Sequence, residues 1–246
     1  MAGQAYLGRM TRDFWIGIAQ DDHGAEGWRF DGEEPVQNAS GQSARDVLAR
    51  LAETAVTVIV QDGQNAQTVP APVMAAALPL TDLTQDRPRG LLPATARLRI
   101  AGVLSTRPNW DGVICLPTQD ATHWCQISAD EVVSFQSALT PRLGQAMGAA
   151  DVADSDALAD TMSRPERLSL HLRSATLSSD GQAIAGHLLG AELAAMRAYW
   201  LGQRLIVIAQ DTLYSGALDT QGVPVERVTP RDALLAGLVA LRGKSR

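Results

Sequence analysis

A long apolar helix, predicted over residues 179–202, places the strongest constraint on how this chain can fold. Ser179 and Gln182 have the spacing of a capping box, which marks a helix start. Apolar residues then recur at helical spacings and cover more than one face: Ile184, Leu188, Leu189, Leu193, Met196 and Trp200. Because so wide an apolar stripe must be covered on more than one side, the helix is expected to lie inside the protein.

Two glycines, Gly186 and Gly190, lie four residues apart inside this helix. Each costs the helix roughly 1 kcal/mol relative to alanine. A helix tolerates this cost where another part of the protein or a ligand must come close. Two interpretations follow: tight packing against a strand, or direct contact with a ligand.

The composition limits the classes of function. Of the 246 residues, 46% are hydrophobic, enough to bury the core of one large domain or of two lobes. The formal net charge of −6 argues against general binding to nucleic acids or anionic membranes. The two cysteines, Cys115 and Cys125, form neither a disulfide framework nor a zinc-site spacing. The first residues lack a signal-peptide apolar region, and no apolar run is long enough to cross a membrane. A cytoplasmic protein without nucleic-acid or membrane partners is predicted, and its oligomeric state stays open.

Two similar strand–turn–strand segments organise the chain. The first has predicted buried strands at residues 14–18 and 28–30, on either side of a polar turn. The second has them at residues 112–116 and 123–127. Helical and β patterns alternate along the chain, which favours an α/β fold. We predict two lobes, residues 1–110 and 111–246, each opening with one of these segments.

Patterns between these segments predict further elements. Capping boxes indicate a helix at residues 43–54 and another helix after Ser128 and Glu131. Residues 97–101 are predicted as a short strand. Thr229 and Pro230 are typical of a helix start.

The second turn also predicts which residues pair across its hairpin. If Pro117 lies opposite His123, each step back along both strands leads to Cys115 opposite Cys125. Their Cα atoms would then lie roughly 4.5–5.5 Å apart, within reach of a disulfide. A cytoplasmic chain would keep both as buried thiols. A one-residue shift would instead send the two side chains to opposite faces of the sheet.

Three segments resemble the 2-keto-3-deoxygalactonate kinase family. Residues 185–193, AGHLLGAEL, resemble the family's SGLLIGAEL, and residues 214–218 match its Y-x-x-A-L. Leu116, Pro117 and Trp124 match the family's second phosphate turn, L-P-G-T-H-[SC]-K-W. The resemblance implies an α/β protein with a two-lobed actin-like ATPase (ribonuclease H-like) fold. It also implies ATP and Mg²⁺ as cofactors if the protein is active, and a small-molecule sugar acid as ligand.

The phosphate-binding positions of the family have mostly changed in this chain. In the first turn, Ala19 stands where the family has aspartate, and Glu26 where it has arginine. In the second turn, Gln119 replaces glycine, Asp120 replaces threonine and His123 replaces lysine. An alanine cannot act as a base, and a phosphate held by backbone N–H groups needs a turn without intruding side chains.

The candidate site residues are of two kinds. Asp21 or Asp22 could take over as catalytic carboxylates, with a solvated acidic turn as the alternative. The candidates for contact with nucleotide phosphates are Thr118, Asp120, Thr122, Gly186 and Gly190. His123 could be a base or a half-exposed strand histidine, and no set of metal ligands is predicted.

Two functions are compatible with this pattern. The first is an ATP-dependent sugar-acid kinase of this family whose changed phosphate motifs leave weak or no activity. The alternative is a non-catalytic relative that binds a sugar acid or has a regulatory role. Phosphoryl transfer needs positioned magnesium and cations against the transferred charge, and those groups are missing at the matched positions.

Overall fold

The computed structural model describes residues 13–51, 56–75 and 78–244. The chain forms two compact units, Met1–Gln61 and Asp62–Arg246. Residues 62–110 therefore belong to the second unit. The division into lobes at residue 110 stays a prediction.

The first unit is a four-stranded sheet with one helix. Its elements are β1 (Phe14–Asp21), β2 (Gly24–Asp31), β3 (Glu34–Gly41), α1 (Ala44–Leu51) and β4 (Thr57–Gln61). The strand order is β3-β2-β1-β4, with β2 antiparallel and β4 parallel to β1. The predicted strands on either side of the first turn are confirmed. Residues 52–54, the predicted end of α1, lie outside the described residues.

The second unit begins with short strands and a buried helix: β5 (Ala66–Thr68), β6 (Ala71–Pro72), β7 (Asp82–Asp86), β8 (Arg89–Leu92) and α2 (Ala94–Leu104). The strand predicted at residues 97–101 is wrong, because these residues belong to α2. The first N–H groups of α2 are bound by two carboxylates that are distant from it in the sequence. Asp62 accepts the N–H of Thr95 at 2.7 Å, and Asp82 accepts that of Ala94 at 2.8 Å. Both N–H groups lie in the first helical turn, where they have no partner within the helix.

A six-stranded sheet forms the centre of the second unit. Its strands besides β6 are β9 (Gly112–Pro117), β10 (Thr122–Ser128), β11 (Glu131–Ala138), β12 (Leu205–Ile208) and β13 (Val225–Val228). Their order is β13-β12-β9-β10-β11-β6. Strands β9, β10 and β11 are successively antiparallel, and β12 is parallel to both β9 and β13. The predicted strand pair around the second turn is confirmed.

The helix predicted after Ser128 is wrong, because this part of the chain forms β11. Ala129 and Asp130 have positive φ values of 51° and 61°. Two successive residues with positive φ are typical of a two-residue hairpin turn. The turn pairs Ser128 with Glu131 across the hairpin, so the two residues with the spacing of a helix cap close a strand pair instead.

Helices cover both faces of the six-stranded sheet. The helices of the second unit besides α2 are α3 (Thr140–Met147), α4 (Ser155–Ser163), α5 (Leu168–Leu177), α6 (Gly181–Ala195), α7 (Arg197–Trp200), α8 (Leu213–Thr220) and α9 (Pro230–Lys244). Residues of α2 and α9 pack with Ile114 and Ile206 on one face. Residues of α6 and α8 pack with Val113 and Val207 on the other. Among the described helices, none is both long and apolar enough to cross a membrane.

The central apolar helix is α6, and it is shorter than predicted. Its cap is Asp180, whose side chain accepts the N–H of Ala183 at 3.0 Å. The prediction of Ser179 as the cap is therefore wrong by one residue. The helix ends at Ala195, and α7 follows after Met196. The wide apolar stripe is confirmed, since α6 buries Ile184, Leu188, Leu189 and Leu193.

Cys115 and Cys125 do not face each other across the hairpin. Cys115 lies opposite Trp124, and Cys125 lies opposite Ile114. The predicted pairing is therefore wrong by one residue. Cys115 packs on one face of the sheet and Cys125 on the other, because one step along a strand changes the face. Both are free, buried thiols.

Candidate functional site

The first turn, residues 21–24, connects β1 and β2 and is closed by its own carboxylate. Oδ1 of Asp21 accepts the backbone N–H groups of His23 at 2.9 Å and of Gly24 at 3.1 Å. Asp22 is exposed. An anion held by this turn would need backbone N–H donors. Two of those donors already bind a negatively charged group.

Ala19 and Glu26 lie opposite each other in the register of β1 and β2. Ala19 is buried, whereas Glu26 is exposed. The neighbouring Gln20 side chain accepts the N–H of Ala44 at 2.7 Å and so binds the start of α1. Position 19 therefore offers no group that could take a proton, and position 26 carries a negative charge.

The second turn, residues 118–121, connects β9 and β10 and is closed by Thr118. The N–H and the hydroxyl of Thr118 both donate to the carbonyl of Ala121, at 2.9 and 2.8 Å. The N–H of Ala121 donates back to the Thr118 hydroxyl at 3.2 Å. Nη2 of Arg142 lies 2.5 Å from Oδ1 of Asp120. Thr118 therefore bonds within the turn, and Asp120 pairs with an arginine.

Thr122 points away from the turn into a buried polar network. Its hydroxyl forms a hydrogen bond with the hydroxyl of Tyr214. Tyr214 donates to Oε2 of Glu192 at 3.0 Å, and Nε1 of Trp124 donates to Oε1 at 2.7 Å. The hydroxyls of Thr140 and Thr122 also bond to this carboxylate. The network links β10 with α3, α6 and α8.

Glu192 is the acceptor at the centre of this network. Burial raises the pKa of its carboxyl above the ordinary value, and the hydrogen bonds to it oppose the shift. The pKa values of Tyr214 and of Cys115 are raised, mainly by burial and secondly by the nearby charge of Glu192. Glu192 is not among the site residues that the sequence predicts. The available signal was its place as an ionisable residue within the apolar helix α6.

His123 is buried rather than half-exposed. Nδ1 of its ring lies 2.8 Å from the hydroxyl of Ser137 on the neighbouring strand. Burial lowers the pKa of His123 to about 4. The ring is therefore neutral at about pH 7, and its pKa is too low for an efficient general base at that pH.

Gly186 and Gly190 lie where α6 packs against α4. A Cβ atom at Gly186 would come within 2.4 Å of the carbonyl oxygen of Asp154. One at Gly190 would come within 2.4 Å of the carbonyl oxygen of Leu158. Close packing against a helix, rather than against the expected strand, therefore explains both glycines. Their contact with a ligand stays a prediction.

Within the second unit, the structure brings only some of the predicted site residues together. Asp21 and Asp22 belong to the first compact unit, and the second turn belongs to the second. Thr122 joins the Glu192 network, which is separate from the hydrogen bonds that close the turn. Within the described ranges, no group of three or more His, Cys, Asp or Glu side chains is placed to hold a metal ion.

Comparisons with known proteins relate this chain to one family. The family model described as 2-keto-3-deoxy-galactonokinase (DGOK) matches residues 97–241, more than half of the chain. A search of curated proteins found no significant match.

Solved structures of other proteins agree in fold. A Sinorhizobium meliloti protein assigned as a 2-dehydro-3-deoxygalactonokinase gives a TM-score of 0.78 at 18% identity, covering 92% of this chain and 97% of that one. Component A of (R)-2-hydroxyglutaryl-CoA dehydratase from Acidaminococcus fermentans gives 0.54 at 13%, covering 95% and 99%. The activator of 2-hydroxyisocaproyl-CoA dehydratase from Clostridium difficile, solved with ADPNP, gives 0.50 at 12%, covering 94% of each chain. The predicted α/β, actin-like ATPase fold is confirmed.

Proposed function

Because the chain belongs to the 2-keto-3-deoxy-galactonokinase family, we propose that it is a kinase-like protein with little or no phosphoryl-transfer activity. It keeps the scaffold of a sugar-acid kinase. The groups that phosphate chemistry requires are changed at both turns.

The carboxylate of Asp21 carries this proposal. Its Oδ1 atom accepts two backbone N–H groups of the first turn, and a phosphate bound there would have to displace it. The carboxylate also repels a phosphate. Two like unit charges about 4 Å apart repel by about 1 kcal/mol in water and by about 4 kcal/mol near a protein surface.

Two further positions support the proposal. The Ala19 side chain can neither hold a magnesium-bound water nor take a proton. In the second turn, Asp120 pairs with Arg142, so the charge of this arginine is neutralised. Both turns place carboxylates where a kinase needs anion-binding groups. Ala19, Asp21 and Asp120 therefore do not fit a magnesium–nucleotide complex.

The ligand, the cofactors, the location and the division into lobes are also proposals. We propose a small-molecule sugar acid as the ligand class, and ATP with Mg²⁺ as cofactors only if some activity is retained. The composition supports a cytoplasmic location without nucleic-acid or membrane partners. A division into lobes at residue 110 is supported by the two strand–turn–strand segments, which belong to different sheets.

Calorimetric titration with ATP and magnesium tests the proposal. We expect a Kd weaker than about 1 mM, the upper end of ordinary KM values. A Kd below about 100 µM for the wild-type protein would overturn the proposal. Tighter binding by the variant Asp21→Ala, with Asp22→Ala as the matched control, would identify the Asp21 carboxylate as the obstacle.

A further inference from the structure

Two histidines meet at a buried threonine where α4, α5 and α6 come together. Thr161, in α4, is fully buried. Its hydroxyl oxygen lies 2.6 Å from Nδ1 of His171 in α5 and 2.8 Å from Nδ1 of His187 in α6. The centroids of the two rings are 4.8 Å apart. One hydroxyl group therefore links both rings.

The partners of this cluster determine where its hydrogen atoms lie. Nδ1 of His187 also lies 3.1 Å from the carbonyl oxygen of Ala157. Because a carbonyl can only accept, this nitrogen carries a hydrogen. The Thr161 hydroxyl accepts from His187 and donates to Nδ1 of His171, whose own hydrogen is therefore on Nε2. That Nε2 faces Oδ2 of Asp160 at 3.3 Å. These four contacts are all compatible with neutral rings.

A proton added to either ring disturbs this arrangement. On His171 it would go to Nδ1, so both rings would direct N–H groups at Thr161. On His187 it would place a positive charge beside the ring of His171. If both rings were charged they would repel each other at a centroid separation of 4.8 Å.

The charged groups that face His187 act on it in opposite directions. The pKa of His187 is lowered mainly by burial and secondly by His171. The Ala157 carbonyl, Asp160 and Asp154 raise it. The net effect is a lowered pKa. Folding therefore disfavours the protonated form of His187.

Helix α5 has few other contacts that hold it in place. Of its 10 residues, Ala175 alone is fully buried. Leu172 is partly buried in a cluster with residues of α6. Leu170 and Leu177 are 65% and 69% exposed. Because a helix shorter than about 12 residues is marginal in water on its own, α5 depends on its docking contacts.

We propose that the His171–His187 pair makes the docking of α5 depend on pH, so that α5 is held near neutral pH and released toward about pH 5.5. The sign follows from linkage, because a base whose pKa is lowered by folding binds more protons when released. Docking is therefore strongest above the ordinary histidine pKa of about 6.5 and weakens as the pH falls below it. This behaviour is independent of kinase activity.

Hydrogen exchange of the full chain, read by mass spectrometry, measures the release directly. The amides of α5 are compared with those of α9 at about pH 7.5 and about pH 5.5, after correction for intrinsic exchange rates. The protection of α5 relative to α9 should fall by a few fold at the lower pH, and by no more than about tenfold, the linkage limit for one histidine with an ordinary pKa of about 6.5. An unchanged ratio would show that α5 does not respond to pH.

The variant His187→Asn isolates the cause. The asparagine amide can donate from near the position of Nδ1 but cannot be protonated, so α5 should stay protected at both pH values. His23→Asn, in the first turn, is the matched control and should keep the wild-type response. A wild-type response in His187→Asn would overturn the proposal.

Nuclear magnetic resonance of the wild-type protein gives a test that needs no variant. The ring signal of His187 should titrate below the ordinary histidine value of about pH 6.5. Titration of the His187 ring at or above that value would contradict the proposal.

Discussion

Oδ1 of Asp21 lies 3.1 Å from the backbone nitrogen of Gly24, so a carboxylate closes the first turn from within. The same oxygen accepts the N–H of His23 at 2.9 Å. In a phosphate-binding turn such N–H groups point at the ligand. Here the anion is part of the chain itself, and this contact is the observation behind the proposal of little or no kinase activity.

Replacing Asp21 should weaken the first turn. Asp21→Ala removes the acceptor of two backbone N–H groups and should lower the free energy of unfolding by about 1–2 kcal/mol. Asp22→Ala, at the exposed neighbouring position, should change it by less than about 0.5 kcal/mol. Urea unfolding followed by circular dichroism compares the two. Equal effects would mean that the Asp21 contacts do not stabilise the turn.

Adding a methyl group at Gly190 should separate α6 from α4. The new Cβ would lie within 2.4 Å of the Leu158 carbonyl oxygen, so we expect Gly190→Ala to destabilise the protein by about 2–3 kcal/mol. Gly216, in α8, has no atom within 4 Å of such a Cβ. Gly216→Ala should therefore stabilise by about 0.5–1 kcal/mol through helix propensity. Thermal unfolding of both variants gives the comparison, and destabilisation of similar size in both would contradict the packing account.

Removing the Glu192 carboxyl should leave buried donors without an acceptor. Glu192→Ala leaves the Trp124 indole N–H and the Tyr214 hydroxyl without their acceptor. It should lower the free energy of unfolding by about 3 kcal/mol. Glu192→Gln keeps the shape and one carbonyl oxygen, and should cost less than half as much. Denaturant titration measures both, and a similar loss in the two variants would show that volume, not hydrogen bonding, matters at this position.

The stability difference between Glu192→Gln and the wild type should depend on pH. Burial raises the folded-state pKa of Glu192 above the ordinary value of 4.5. The contribution of this carboxyl is therefore fully present below that value and is lost as the pH rises through the folded pKa. Between about pH 4.5 and pH 7, the glutamine variant should gain stability relative to the wild type. A constant difference would contradict the raised pKa.

Both cysteines should resist alkylation in the folded protein. Cys115 and Cys125 are buried, and burial raises the pKa of both thiols. Because the thiolate is the reactive form, labelling by iodoacetamide at about pH 8 should be slow without denaturant and complete with it. Mass spectrometry distinguishes the two sites, and rapid labelling of either folded-state thiol would contradict its burial.

Much of the fold could be predicted from short-range patterns. The strands around both turns, the wide apolar stripe of α6 and the start of α9 are examples. The N–H of Asp232 donates to the Thr229 hydroxyl at 3.1 Å, as a helix cap should. These signals depend on residues only a few positions apart, so the sequence displays them directly.

The wrong predictions concern features that depend on residues far apart in the sequence or on the exact geometry of a turn. The start of α2 is bound by Asp62 and Asp82, which are distant in sequence. The hairpin between β10 and β11 turns at Ala129 and Asp130 without a glycine, so its turn lacks the usual sequence signal. The register around Cys115 depends on where the second turn closes, and a shift of one residue changes every pair.

The candidate site was predicted less completely than the fold. The sequence indicated Asp21 as a candidate catalytic carboxylate and Asp120 as a replacement for a threonine of the kinase family. It did not indicate that Asp21 would accept the turn's own N–H groups, or that Asp120 would pair with Arg142. The role of Glu192 depends on donors from β10 and α8, which only the folded chain brings to it.

A coupled assay of ADP release, with 2-keto-3-deoxygalactonate and saturating ATP and magnesium, tests the central claim most directly. The account predicts a rate at or close to that of a control without protein. The same assay on an active kinase of this family confirms that the reagents are competent. Turnover in the usual kinase range of about 1–100 per second would contradict the claim that this scaffold has lost phosphoryl transfer.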